Sequence, residues 1–65
     1  MSPYKLIKLL NSRYGESYPT QMGYNYVRNG LIAASKDAEG KLQIDEEVAE
    51  AWLAKFAANN SLVEA

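Results

Sequence analysis

Apolar residues recur at helical spacing near the start of the chain. The positions on this face are Leu6, Ile7, Leu10 and Tyr14, with Leu9 at its edge. Such spacing is typical of an amphipathic helix. Ser2 is a favoured residue just before a helix, and proline is tolerated in the first turn. Gly15 favours termination. We therefore predict a first helix from about Pro3 to Arg13 or Tyr14.

A shorter helix is predicted after a loop. Proline disfavours helical backbone in the residue before it, so Glu16–Pro19 is expected to be a loop. Thr20 is expected to cap a helix that runs from Gln21 to about Asn29, and Gly30 is expected to close it. The face predicted to point inward carries Gly23, Tyr26, Val27 and Gly30, and the opposite face carries Gln21, Tyr24, Asn25 and Arg28.

A hairpin and a third helix follow. Leu31–Lys36 and Lys41–Ile44 flank a loop, residues 37–40, that ends in Gly40. Glycine is frequent where a hairpin loop needs left-handed backbone. Asp45 is expected to cap the third helix, which should end near Ala58. The apolar stripe of this helix comprises Val48, Ala49, Trp52, Leu53 and Phe56.

These elements predict a mostly α domain with a small β-hairpin, in the order helix, helix, hairpin, helix. A chain of 65 residues has room for one domain. We assign it to residues 1–58 and expect residues 59–65 to be a tail that frays. Trp52 and Phe56 are predicted to be buried against the first helix, where they would cover Leu6, Ile7 and Leu10.

The composition indicates a folded protein without a metal. Apolar residues make up 48% of the chain and charged residues 23%, which is too apolar for a disordered segment. Cysteine and histidine are both absent, so we expect no disulfide, no structural zinc and no cofactor. No apolar run approaches the roughly 20 residues that span a bilayer, and no signal peptide is recognisable. We therefore expect a cytoplasmic protein without membrane contact.

Charge is distributed unevenly along the chain. Residues 1–44 carry six cationic against three anionic side chains, a net charge of +3, whereas residues 45–65 carry one against five, a net charge of −4. A polyanion would be attracted to the first part and repelled by the second. Ordinary solvated helix faces carry such charges as well, so charge alone leaves both interpretations open.

The stretch from Tyr24 to Ile32, followed by the predicted hairpin and by the helix from Asp45 to Phe56, resembles the winged helix-turn-helix domains of the MerR type and of excisionases. Tyr26 matches the aromatic residue of their recognition helix, and Arg28-Asn29-Gly30-Leu31 matches the turn that follows. Ser35 to Gln43 matches the wing, and Trp52 with Phe56 matches the closing helix. The resemblance covers about residues 20–57. Arg13 to Pro19 is longer than the usual turn. Gly23 replaces an aliphatic residue, which predicts a closer contact between helices or a fourth packing partner.

The resemblance implies that the second helix enters the DNA major groove. Gln21 and Asn25 are then the candidate base readers, because amide side chains pair bidentately with adenine. The other candidate DNA contacts are Thr20, Tyr24, Arg28, Ser35, Lys36 and Lys41. Thr20 is equally explained as a helix cap, Arg28 as a partner of the helix dipole, and Tyr26 is expected in the core. Asp37 and Glu39 at the wing tip oppose phosphate contact.

An enzymatic function is not expected. The carboxylates Asp45, Glu46, Glu47 and Glu50 have no histidine, cysteine or glycine-rich loop to act with, and are interpreted as a solvated face. We expect a sequence-specific double-stranded DNA-binding protein of bacterial, phage or plasmid type. It would be nucleoid-associated, self-associating or cooperative on DNA, and without a small-molecule ligand. The alternative is a protein–protein interaction module that uses the wing or the acidic face of the third helix.

Overall fold

The computed structural model describes residues 1–65 and contains three helices and one hairpin. The elements are α1 (Pro3–Tyr14), α2 (Gln21–Arg28), β1 (Ser35–Lys36), β2 (Leu42–Gln43) and α3 (Glu46–Asn59). The two strands form one antiparallel sheet. The predicted order of helix, helix, hairpin and helix is confirmed, and this arrangement is that of a winged helix-turn-helix domain.

Local signals set both ends of α1. The Ser2 hydroxyl accepts a hydrogen bond from the backbone N–H of Lys5, at 3.1 Å. At the other end Gly15 adopts left-handed backbone, with φ +64°, and its N–H is donated to the carbonyl of Asn11. Glycine reaches this conformation without the steric penalty of a Cβ atom. The predicted start and end of α1 are therefore confirmed.

The core is a single apolar cluster to which the helices and the flanks of the hairpin contribute. Its buried members are Leu6, Ile7, Leu10, Ile32, Ile44, Ala49 and Leu53. The predicted inner face of α1 is confirmed, because its three aliphatic residues are completely buried. Ile32 and Ile44 precede β1 and follow β2, so the base of the wing is anchored in the core.

The prediction for Trp52 and Phe56 is wrong in part. Both side chains pack against the core, yet both remain half-exposed. The buried line of α3 consists instead of Ala49, Leu53 and Ala57. These residues are spaced by four positions and therefore share one face. Two of them are alanines, and the large rings of α3 lie on a neighbouring face at the edge of the core.

Gly23 marks the closest approach between α2 and α1. The residue is buried, and a Cβ atom at this position would collide with the carbonyl oxygen of Pro3 and touch Ile7. Only glycine leaves room for this contact without moving backbone. The closer helix contact predicted from Gly23 is therefore confirmed, and it fixes which side of α2 faces inward.

The hairpin is shorter than the sequence predicts. Ser35 pairs with Gln43 and Lys36 with Leu42, while the residues on either side leave the ladder. Ile44 pairs elsewhere: Met1 and Ile44 exchange two backbone hydrogen bonds, each 2.6 Å long. Met1 therefore supplies the backbone hydrogen bonds that a longer β1 would otherwise make with Ile44. Gly40 has φ +80°, as the predicted loop requires.

The third helix is capped at its start, and the tail that follows it is hydrogen-bonded to two helices. The Asp45 carboxylate accepts from the N–H of Glu47 at 3.3 Å, which confirms the predicted cap. In the tail the N–H of Leu62 is donated to Ala57 and that of Ala65 to Arg13, each at 2.9 Å. These bonds connect the segment predicted to fray with both α3 and α1.

None of the helices combines the length and the apolar character that crossing a bilayer demands. No group of three or more acidic side chains is placed to hold a metal ion.

Candidate nucleic-acid interface

The outer face of α2 presents polar side chains to solvent. Gln21, Asn25 and Arg28 are exposed, and Tyr24 is half-buried between them. Gly23 packs against α1 on the other side of the helix, so these four residues are turned away from the core. The predicted inward face is confirmed for Gly23, Tyr26 and Val27. Gly30, which was also predicted to face inward, follows the end of α2 and is exposed. The roles of these side chains toward DNA stay predictions.

Thr20 does not cap α2. Its backbone is already helical, with φ −63° and ψ −25°, and its side chain makes no capping hydrogen bond. A side-chain cap normally requires extended backbone at this residue. The carbonyl of Pro19 accepts instead from the N–H of Met22 at 3.0 Å. The half-buried Thr20 hydroxyl is therefore not used by the helix.

The wing exposes the three residues predicted to contact a phosphate backbone. Ser35, Lys36 and Lys41 are all exposed, and they lie on both sides of the loop tip. The strands pair in register, so the two lysines are held near the same end of the ladder. A short hairpin with one lysine at the end of β1 and one just before β2 suits contact with a sugar–phosphate backbone.

Asp37 has a structural role inside the wing loop. Its Oδ1 atom accepts from the N–H of Glu39 at 2.9 Å and of Lys41 at 3.0 Å, and Oδ2 accepts from the Gln43 amide at 3.3 Å. These donors, Lys41 first among them, hold the pKa of Asp37 below its ordinary value. The Asp37 carboxylate therefore stabilises its own loop, but it stays ionised and is as exposed as that of Glu39, so both still oppose phosphate contact at the wing tip.

One of the six cations in residues 1–44 is neutralised by the fold. Arg13 donates two hydrogen bonds to the Glu50 carboxylate, at 2.8 and 3.1 Å, and so joins the end of α1 to α3. The other five are exposed and form no ion pair; they are Lys5, Lys8, Arg28, Lys36 and Lys41. Positive charge on α2 and the wing therefore remains available to an external anion.

The Arg13–Glu50 pair makes stability depend on pH. The hydrogen bonds from Arg13 lower the pKa of Glu50. A carboxyl with a lowered pKa stabilises the fold above its unfolded pKa and loses this effect as pH falls through the folded value. We expect Glu50→Gln to melt below the unaltered protein at pH 7, and the difference to disappear as pH falls through the lowered pKa of Glu50. The difference should be small, because the pair is exposed. Thermal melts from pH 3 to 7 measure it, and a constant difference would contradict the assignment.

Tyr26 belongs to an aromatic cluster that joins α2 to α3. Its ring lies 5.5 Å from the Trp52 ring and 6.2 Å from that of Phe56, between centroids. Trp52 and Phe56 stack at 4.9 Å with 28° between their planes. The predicted core role of Tyr26 is confirmed in part: the ring packs against the core but, like those of Trp52 and Phe56, stays half-exposed. These contacts hold the C-terminal half of α2, whereas Gly23 holds its first turn.

Sequence reasoning missed the contact between Asn11, in the last turn of α1, and Tyr18, in the loop before α2. The Asn11 side chain donates to the Tyr18 carbonyl and accepts from the Tyr18 N–H, both at 2.9 Å. Asn11 lies outside the apolar face that the sequence predicts for α1. The available signal was an amide side chain in the last turn of a helix, before a loop too long for the usual turn.

Helix, helix, wing and helix place the protein in the winged helix-turn-helix class. In comparisons with known proteins, no family model, no curated protein and no solved structure matches the chain. The function is therefore argued from the arrangement of its own residues.

Proposed function

We propose that the protein binds double-stranded DNA in a sequence-specific manner, with α2 in the major groove and the wing on the adjacent backbone. The observation that carries this proposal is the outer face of α2. Gln21, Asn25 and Arg28 are exposed, and their side chains are engaged in no hydrogen bond or ion pair within the chain. Side chains with several donors and acceptors and no internal partner are suited to an external polar surface.

The proposed reading follows from groove dimensions. The major groove admits a helix, and side chains near the beginning of that helix reach base edges. Gln21 and Asn25 are one turn apart, so both amides lie along one line of α2. Tyr24 and Thr20 are half-buried and lie beside that line, where they reach phosphate or a thymine methyl group. Arg28, at the other end of α2, contacts phosphate.

The wing and the charge distribution support the same orientation. Lys36 and Lys41, with the Ser35 hydroxyl beside them, supply phosphate contacts. The first turn of α3 carries the exposed carboxylates Asp45, Glu46 and Glu47, so phosphate is repelled from that surface. DNA is therefore bound by the side of the molecule that α2 and the wing form.

One such domain covers a half-site. Useful affinity and specificity then require self-association or cooperative binding to adjacent sites. We propose a small transcriptional regulator or an excisionase-like architectural factor of bacterial, phage or plasmid type, located with the nucleoid in the cytoplasm. This role needs no small-molecule ligand and no catalytic residue.

A protein–protein interaction module is the second candidate function. The observation that favours it is the first turn of α3, where three exposed carboxylates form no ion pair and would fit a basic partner. The two candidates differ in what binds and in which surface binds it. They are therefore separated by charge changes on the wing and on α3.

The experiment compares two double variants of exposed residues. Lys36→Glu with Lys41→Glu should weaken binding to every duplex and reduce the slope of log affinity against log salt by about two, roughly one per phosphate contact. Glu46→Gln with Glu47→Gln should leave DNA binding unchanged or slightly tighter. Fluorescence anisotropy at several salt concentrations measures both, with circular dichroism as the check on folding.

The outcomes distinguish the two candidate functions. DNA binding would be contradicted if the wing variant and the α3 variant changed DNA affinity equally. It would also be contradicted if the unaltered protein bound no duplex selected from a random pool. Either result would favour the second candidate function, in which the acidic first turn of α3 binds a basic protein.

A further inference from the structure

The loop between α1 and α2 is held at both ends by Asn11. The carbonyl of Asn11 accepts from the N–H groups of Gly15 and Glu16, the latter at 3.0 Å, where the loop begins. The side chain of Asn11 binds the N–H and the carbonyl of Tyr18 at 2.9 Å each, where the loop ends. One residue of α1 therefore fixes where the chain leaves this helix and where it turns toward α2.

Asparagine is chemically suited to this contact. Its amide offers one donor and one acceptor side by side, which match the carbonyl and the N–H of a single residue. Aspartate has the same shape but, when ionised, accepts only, so it would lose the bond to the Tyr18 carbonyl. The contact is half-buried, where an unpaired polar group costs more than in water.

Tyr18 is held from a second direction by α3. Its ring meets that of Phe56 edge-on, with 5.4 Å between centroids and 84° between planes. Thr20 and Gln21, where α2 begins, follow two and three residues later. Because Thr20 provides no side-chain cap, the beginning of α2 is located by this loop and by the Gly23 contact in the first turn of α2.

We propose that Asn11 is a positioning residue for sequence reading. It sets, through Tyr18, the angle at which the N-terminal end of α2 meets DNA, although it lies on another helix and outside the predicted contact face. This inference rests on the proposed function, since the reading end of α2 matters only if α2 reads DNA. A displacement of about 1 Å at this end would misalign the amides of Gln21 and Asn25 with base edges.

Three single variants test the proposal. Asn11→Ala removes both hydrogen bonds, and Asn11→Asp removes only the donor while keeping the side-chain volume. Ser12→Ala is the matched control, because Ser12 is the adjacent exposed residue and forms no hydrogen bond. Binding is measured well below every melting temperature, on the selected site and on a scrambled duplex, at equal salt.

We expect the ratio of specific to non-specific affinity to fall about tenfold in Asn11→Ala and in Asn11→Asp, and to stay unchanged in Ser12→Ala. Non-specific affinity should be unchanged in Asn11→Ala and Ser12→Ala, whereas the added charge of Asn11→Asp should lower affinity for both duplexes alike, so that the ratio alone is compared there. A purely structural Asn11 would lower the melting temperature and leave the ratio intact, which would overturn the proposal. If Asn11→Ala fails to fold, Asn11→Asp gives the decision.

Nuclear magnetic resonance on the free protein separates this inference from the proposed function. Asn11→Ala should speed hydrogen exchange at the Tyr18 amide about tenfold or more and weaken the contact between Gly23 and Pro3. Unchanged exchange and an unchanged contact would show that Asn11 does not place α2, whatever the protein binds. If the unaltered protein discriminates between no duplexes, the proposed function fails, and these spectra still decide whether Asn11 positions the helix.

Discussion

Leu53→Ala is expected to lower the free energy of unfolding by about 2 to 5 kcal/mol. Leu53 is completely buried in the core between the alanines of α3, so its removal leaves a cavity that close-packed neighbours cannot fill. A domain of this size has only a few kcal/mol of stability, and the variant should be largely unfolded at room temperature. Urea denaturation followed by Trp52 fluorescence measures the effect.

Trp52→Ala is the matched comparison for the core. The tryptophan is the larger side chain, but it is half-exposed and lies in the aromatic cluster at the edge of the core. We expect Trp52→Ala to lower the free energy of unfolding by less than Leu53→Ala does. Circular dichroism is the probe for both variants. A larger loss at Trp52 would mean that the aromatic face of α3, and not the Ala49–Leu53 face, forms the centre of the core.

Gln21→Ala and Asn25→Ala should each reduce discrimination between the selected site and a scrambled duplex by about 1 to 3 kcal/mol. Each change removes hydrogen bonds to a base edge and leaves phosphate contacts in place, so non-specific affinity should hardly change. Both residues are exposed and make no contact that the fold requires. Competition binding at matched salt measures the ratio.

Arg28→Ala is the control for these two variants. A phosphate contact carries no direct sequence information, so its loss should weaken binding to both duplexes and leave their ratio nearly constant. Should Gln21→Ala and Asn25→Ala both keep the full ratio, α2 would not be the reading element. The proposed mechanism would then be wrong even if the protein binds DNA.

The sequence determined the elements because their signals are local. Ser2, Gly15 and Asp45 act on backbone groups within a few residues of themselves, and each does in the structure what its residue type predicts. The inner face of α1 was equally clear, because its apolar positions form a single stripe bordered by polar residues. The polar outer face of α2 followed for the same reason.

Thr20 shows where local reasoning fails. Its residue type favours a side-chain cap. In the structure, however, the N–H of Met22 is donated to the Pro19 carbonyl, and the helical backbone at Thr20 does not suit a capping hydrogen bond. The sequence thus located the start of α2 correctly and gave the wrong reason for it.

Tertiary structure decided everything that depends on how far each element is rotated and where distant residues meet. Apolar residues occupy two neighbouring faces of α3, and only packing selects the face of Ala49 and Leu53 over that of Trp52. Arg13–Glu50 joins residues 37 positions apart, and Met1–Ile44 joins residues 43 apart. Successive helical residues differ by about 100° in direction, so a small rotation exchanges core for surface. Contacts between elements set such a rotation, and the pattern of apolar and polar residues along the chain does not contain those contacts.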